Sequence, residues 1–312
     1  MTTIAFAGSK TTTYECMRQL LLDGFRIDLL VTLTPEQGRH YEVAGYMDLR
    51  AFATEHAIRV VHPASYSLRE PADQAMLEAE AIDILLVIGW QRLIPDWWLS
   101  RLRRGAFGMH GSAEPLPRGR GRSPLNWSLL QGRTSFLTHL IKYDAGVDSG
   151  GIVGVQKFDI TLWADPDVLH MKNRIAMSRL LRQHLPAIEA GTAVYRAQPA
   201  DITPTYLPKR SADDGRIVWE DQDMMRLYNH IRAQTRPFPG AFSHLGEANE
   251  RFYFWKSHPF DSRLEYEAHP GTVVETFYDG SFLVAVWDGS VRVFDYTAPS
   301  GVVPAAGQQF RS

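Results

Sequence analysis

The first half of the chain alternates short apolar or β-branched runs with stretches of helical spacing. Apolar runs fall at 3–7 (TIAFA), 27–33 (IDLLVTL), 58–61 (IRVV) and 82–88 (IDILLVI), with helical spacing at 14–22 and 49–56. The run 82–88 is apolar on both alternating faces, as expected for a strand covered by helices on both sides of a parallel sheet. Strands alternating with helices predict a doubly wound α/β domain. Gly8 follows the first strand as a tight-turn residue, but AGSKTT holds one glycine where a dinucleotide-binding loop needs three, so neither that loop nor a phosphate loop is supported. Ser9 and Lys10 then stand at a helix N-terminus, where free N–H groups and a cation either meet an anionic substrate group or form a solvated cap.

Farther along, a helix over 168–189 is predicted, with Asp165 as N-cap, Pro166 at the first helical position and Gly191 after its end. It closes the first domain. The stretch 197–208 (AQPADITPTYLP) is rich in Pro and Thr and lacks periodicity, which reads as a surface linker. Two domains are therefore expected, 1–200 and 201–312. The second begins with a helix over 221–233 and ends in alternating strands around 271–274, 282–287 and 291–296, punctuated by Asp-Gly-Ser turns, which predicts a small β-barrel-like domain.

With 312 residues, 45% hydrophobic and 22% charged, the chain can bury two cores. A formal net charge of −2 provides no basic field to hold nucleic acid. The opening MTTIAFAGSK breaks its apolar stretch at once, so no signal peptide and no membrane span are expected, and a cytoplasmic protein is. Cys16 is the only cysteine, which excludes an internal disulfide and a CxxC site; on a predicted helix it is expected to be a buried thiol. None of the 11 histidines forms an HxH, HExxH or His/Cys cluster, so no metal is expected.

Ligands of open parallel sheets bind beyond the carboxyl ends of the strands, which directs attention to three segments. The loop at 87–95 (VIGWQRLIP) offers apolar surface and free backbone groups. The segment 107–112 (FGMHGS) carries His110 at a strand end. The turn 143–151 (YDAGVDSGG) places Asp144 and Asp148 among glycines. His110 and Asp148 are 38 residues apart and both follow predicted strands, so one sheet edge could unite them. A carboxylate beside an imidazole holds its tautomer and supports its charged form, a standard acid–base arrangement, although a structural histidine at a strand end fits the same residues.

Three motifs follow in order: His110-Gly111-Ser112 with Leu116-Pro117, then Arg120-Gly121-Arg122-Ser123-Pro124-Leu125-Asn126-Trp127, then Asp144-Ala145-Gly146-Val147-Asp148-Ser149-Gly150. Arg210, Asp214-Gly215 with Ile217 and Trp219, and Arg236-Pro237-Phe238-Pro239-Gly240-Ala241-Phe242 come after them. Together they resemble the folate-dependent formyltransferases, the family that includes methionyl-tRNA formyltransferase and the sugar N-formyltransferases. The resemblance implies a Rossmann-like catalytic domain that takes 10-formyltetrahydrofolate as formyl donor, followed by an OB-like β domain. It implies His110 and Asp148 as the catalytic pair, and a pterin pocket made by Ile88, Gly89, Trp90, Gln91, Leu93 and Ile94 with Asp144 and Gly146. Trp97 and Trp98 are expected in the core.

The chain departs from the family at Gly108, where the family's Asn-x-His pattern has the asparagine that donates a hydrogen bond to the developing oxyanion. About two extra residues lie between His110 and the Leu-Pro pair, and this longer loop is expected to re-form the oxyanion site with a backbone N–H, a water or another side chain. For the acceptor, a tRNA calls for a basic second domain, yet acidic residues outnumber basic ones from 247 to 312, and RGRSPLNW lies closer to the sugar enzymes. The expected partner is a nucleotide-linked amino sugar, such as a dTDP-linked 3- or 4-amino sugar or a pseudaminic-type precursor of the lipopolysaccharide O-antigen kind, and no nucleic acid. Its candidate contacts are Ser9, Lys10, Arg120 and Arg122 for phosphate, and Trp219 and Phe238 for the base, with solvation or core packing as the alternative for each. Methionyl-tRNA formyl transfer, hydrolysis of the formyl donor and folate binding without catalysis remain as alternatives. The final strands offer edges to a homodimer.

Overall fold

The computed structural model describes residues 2–246, 250–299 and 302–312. In chain order the elements run β1 (Ile4–Ala7), α1 (Thr11–Leu22), β2 (Leu29–Val31), α2 (Pro35–His40), α3 (Arg50–Glu55), β3 (Arg59–Val61), α4 (Pro71–Glu78), β4 (Ile84–Val87), α5 (Asp96–Leu99) and β5 (Gly105–Ser112). There follow β6 (Arg120–Gly121), α6 (Pro124–Leu130), β7 (Ser135–Lys142), β8 (Ile152–Asp159), α7 (Pro166–Ala190) and β9 (Tyr206–Leu207). The last are α8 (Met224–Gln234), β10 (Ala241–Leu245), β11 (Phe252–Asp261), β12 (Val273–Thr276), β13 (Phe282–Val286), β14 (Gly289–Thr297) and β15 (Phe310–Arg311).

Two compact units result, and they differ from a single cut at 200/201. The first comprises Met1–Gly121, Leu137–Phe158 and Met171–Tyr206; the second takes Arg122–Phe136 and Asp159–His170 together with Leu207–Ser312. In the first unit seven strands form one sheet in the order β3-β2-β1-β4-β5-β7-β8. From β3 to β5 all neighbours are parallel, as the alternating pattern predicts. The sheet is nevertheless mixed, because β7 runs antiparallel to β5, with Phe107 opposite Lys142 and Ser112 opposite Leu137. The helix between these two strands, α6, belongs to the second unit. A strand that returns antiparallel needs no crossover helix on the sheet.

Every residue of β1 and β4 is buried. Alternate side chains feed two cores: Phe6, Ile84 and Leu86 meet Met17, Leu20, Leu181 and Leu185 on one face, while Ala5, Leu85 and Val87 meet Leu77 and Trp98 on the other. A Cβ at Gly8 would lie 1.9 Å from the Ile88 carbonyl oxygen, so glycine there is what lets the ends of β1 and β4 run side by side. Asp165 caps α7, its Oδ1 accepting from the Val168 N–H at 2.9 Å, and Gly191 follows with φ 75°. Cys16 is fully buried, and burial pushes its thiol up to about 12.

The second unit holds a six-stranded antiparallel sheet in the order β12-β13-β14-β11-β10-β15. Trp219, Leu227, Ile231, Phe252, Phe254, Phe282 and Phe310 form its core. Register shifts along β11 at Phe254/Lys256, Lys256/Ser257 and Pro259/Asp261 curl the sheet in the manner of a half-barrel. Those irregularities also blur alternation in FYFWKSHPFD, which is why the strand does not stand out in the sequence. No helix among the described residues is long and apolar enough to cross a membrane.

A buried histidine ties the first sheet to pH. His139 on β7 is 1% exposed, and its Nδ1–H donates to the His110 carbonyl oxygen at 3.3 Å. Burial lowers its pKa from 6.5 to about 4, the hydrogen bond pulling weakly the other way. The native ring stays neutral where the unfolded ring takes up a proton, so stability falls as pH drops from 6.5 toward 4. Urea unfolding should show a loss of about 2 kcal/mol between pH 7 and pH 5 from this residue. The His139→Gln variant should lack that part of the slope.

Candidate active site

Val87, the last residue of β4, pairs with Gly108, and β5 runs on for four residues past that point. His110 therefore sits beyond the carboxyl ends of the parallel strands but inside β5, not after it. The ring is 6% exposed and both nitrogens are engaged. Nε2 lies 2.9 Å from the Gly119 carbonyl oxygen and Nδ1 lies 3.2 Å from Asp148 Oδ2. A carbonyl oxygen can only accept, so Nε2 carries a hydrogen in this arrangement.

Asp148 arrives from the connection between β7 and β8 with φ 51°, a left-handed conformation that aspartate tolerates better than most residues. Its Oδ2 also accepts the Gly121 N–H at 3.0 Å. Burial works to raise the pKa of this carboxyl, but the hydrogen bond and charge of His110, with the Gly121 N–H and Arg120 adding, outweigh it and hold the carboxyl below its ordinary value. The ionised form of the side chain is thereby favoured as it faces His110 Nδ1.

The segment expected to be a linker holds this pair in place. The Gln198 amide donates to the carbonyl oxygens of Asp148 at 2.8 Å and Gly150 at 2.9 Å, while its Oε1 accepts from Arg120 Nη2 at 2.6 Å. Thr205 Oγ1 accepts the Gly119 N–H at 2.8 Å, and the Thr205 carbonyl accepts the Arg120 N–H at 2.9 Å. Sequence reasoning missed Gln198, Thr205, Gly119 and Tyr206, whose hydroxyl accepts from Arg120 Nη1 at 3.2 Å. The signal that was available is the triplet Thr205-Tyr206-Leu207, β-branched then aromatic, which is too short to outweigh its flanking prolines. Beside the Asp148 turn lies a cleft of about 500 Å³ whose walls include Pro117, Arg120, Asp144, Ser149, Tyr195 and Gln198.

The other sequence candidates are placed unevenly. Ile88, Trp90 and Ile94 point into the core, Gly89 has φ 80°, and Gln91 and Leu93 are exposed. The Ile88 carbonyl is taken by Thr13 Oγ1 at 2.6 Å, but the buried indole Nε1 of Trp90 has no partner among the described residues. Asp144 Oδ1 accepts from the Gly146 N–H at 3.0 Å and from Ser149 Oγ at 2.5 Å, closing the turn. Ser9 is wholly buried, which corrects its reading as a surface phosphate contact, and Lys10 is the half-buried N-cap of α1. Arg120 is buried at the cleft wall. Arg122, Trp219 and Phe238 belong to the second unit, Arg122 exposed and Phe238 half-buried. Trp219 corrects its reading as a base-stacking residue: it is 1% exposed, its Nε1 donates to Ser243 Oγ at 2.9 Å, and it stacks on Phe310 within the core.

Residues 37–183 match the model of the formyl transferase family. Among solved structures the chain is similar to an N-formyltransferase from Helicobacter canadensis in complex with folinic acid and dTDP-3-aminofucose, with 16% identity and a TM-score of 0.69 over 95% of this chain and 100% of that one. It is also similar to WlaRD, a sugar 3N-formyl transferase in the presence of dTDP and 5-N-formyl-THF, with 17% identity and a TM-score of 0.68 over 96% and 99%. HypX from Aquifex aeolicus in complex with tetrahydrofolic acid matches at 16% identity and a TM-score of 0.62 over 94% of this chain, which spans 44% of HypX. The chain thus resembles the folate-dependent formyltransferases, with the formyl transferase pattern over residues 37–183 and their fold along nearly its whole length.

Proposed function

We propose that the chain transfers the formyl group of 10-formyltetrahydrofolate to the amine of a nucleotide-linked amino sugar, with His110 and Asp148 moving the protons. The observation that carries this reading is the buried His110–Asp148 pair at the sheet edge, flanked by a cleft of about 500 Å³. Toward a folate donor the loop at 88–95 presents exposed Gln91 and Leu93 over the buried Ile88, Trp90 and Ile94, an apolar floor with polar groups at its rim. The folates and dTDP compounds named for the Helicobacter canadensis protein and WlaRD support the same pairing of substrates.

When bound, the folate supplies an activated formyl carbon on a nitrogen leaving group. Because Nε2–H faces a carbonyl, His110 works as a proton carrier and not as a free base: it gives that proton to the leaving nitrogen, exchanging the Gly119 carbonyl for it. The ring is reloaded by the proton that the acceptor amine loses on acylation. Asp148, held ionised, keeps the ring oriented and balances its charge while it carries both protons. Arg120, buried at the cleft wall and held by Gln198 and Tyr206, presents a preset guanidinium to the anionic part of the acceptor.

His110→Ala and Asp148→Asn should each lower turnover by about 100-fold or more while circular dichroism stays native. Tetrahydrofolate release, followed by absorbance, should require a nucleotide sugar bearing a free amine. The same sugar carrying a hydroxyl in its place should give no release above background. Release of formate at an equal rate without any amine would make the chain a hydrolase instead.

A further inference from the structure

We infer that the phenol of Tyr143 donates the hydrogen bond to the formyl oxygen that the asparagine absent at Gly108 would otherwise supply. This deepens the function proposed above and rests on it. Gly108 lies on β5 two residues before His110. A Cβ built on it would stand 2.3 Å from Tyr143 Oη and 2.5 Å from Cζ, so the phenol fills the space a side chain at 108 would take. A residue larger than glycine and Tyr143 in this position exclude each other.

The phenol is placed from the neighbouring strand. The Tyr143 N–H donates to the Ala106 carbonyl at 2.8 Å, which fixes the Tyr143 backbone beside β5 as the chain leaves β7. Its ring packs partly buried against the core that contains Val87 and Trp90. Among the described residues no group accepts from or donates to Oη, so its O–H is open to a ligand. Burial, with the Asp148 charge adding, pushes the phenol pKa above its ordinary value, which keeps it a neutral donor. A preset neutral donor beside the proton carrier is the arrangement that stabilises charge appearing on a carbonyl oxygen.

In the transfer, the acceptor amine forms a bond to the formyl carbon while the carbon–oxygen π pair moves onto oxygen, which accepts the Tyr143 O–H. The pair then returns and the bond from that carbon to the folate nitrogen breaks. The amine proton reaches the departing nitrogen by way of His110, leaving an N-formyl amine and tetrahydrofolate. Tyr143 keeps its proton throughout.

The test is Tyr143→Phe in the full chain, which keeps the ring and removes only the hydroxyl. Transfer from 10-formyltetrahydrofolate to dTDP-3-aminofucose and other nucleotide-linked amino sugars is followed by tetrahydrofolate absorbance, and folinic acid binding by titration. The expected result is a fall in kcat of about 100-fold, with KM and folinic acid affinity changed less than about two-fold. Equal kcat in the two proteins overturns the inference and leaves the proposed function standing. Loss of folinic acid affinity with kcat retained also overturns it, by making Tyr143 a binding residue. A wild-type chain that formylates no amine overturns the proposed function and the inference together.

Discussion

An imidazole wedged between a backbone carbonyl and an ionised carboxylate sets the terms for everything around it. His110 is nearly sealed from water, and a buried charge or polar group is tolerable only when it is paired. Two of its neighbours, Gly119 and Asp148, lie on different irregular segments, and Gly121 ties those segments together through the same carboxylate oxygen. Loops can hold such contacts only when something fixes them. That need accounts for Gln198, which bonds two carbonyls of the Asp148 turn and one guanidinium, and for Thr205, which bonds the backbone on the other side. It also accounts for a non-glycine residue at φ 51°, a conformation that costs on the order of 1–3 kcal/mol and persists where the surroundings over-determine it.

The apolar framework and the polar site meet at two glycines. At Gly8 there is no room for a side chain because the backbone of the adjoining strand is there. At Gly108 there is no room because a phenol is there. The first is a packing constraint that any covered parallel sheet imposes, while the second puts a polar group where the chemistry is proposed to occur. Most of the hydrogen bonds around the His110–Asp148 pair involve main-chain atoms, so its geometry depends on the loops as much as on the two side chains.

Much of this was legible in the sequence, and the gaps have physical causes. The runs at 3–7 and 82–88 gave buried strands because a strand covered on both faces has no polar positions to confuse the pattern. Asp165, Pro166 and Gly191 marked the long helix because capping chemistry is local. His110 and Asp148 stood out as a pair because each lies near the end of a clear strand, although their 3.2 Å separation depends on tertiary structure that spacing does not encode. The direction of β7 was not legible, since pairing direction depends on whether the intervening helix packs on the sheet. The stretch 197–208 read as a linker because proline and threonine mask the single amide, Gln198, that does the holding. Trp219 drew attention as an aromatic near a motif, yet large aromatics are more often core than contact, and this one is core.

Formyl chemistry is proposed to occur at His110, beside Gly108. A crystal structure of the chain with 5-formyltetrahydrofolate tests it most directly. The expected density puts the formyl group next to the His110 ring, with its oxygen toward Tyr143 Oη and the pterin ring against the loop at 88–95. Density for the folate at a site away from His110, with the imidazole still closed on the Gly119 carbonyl, would contradict it.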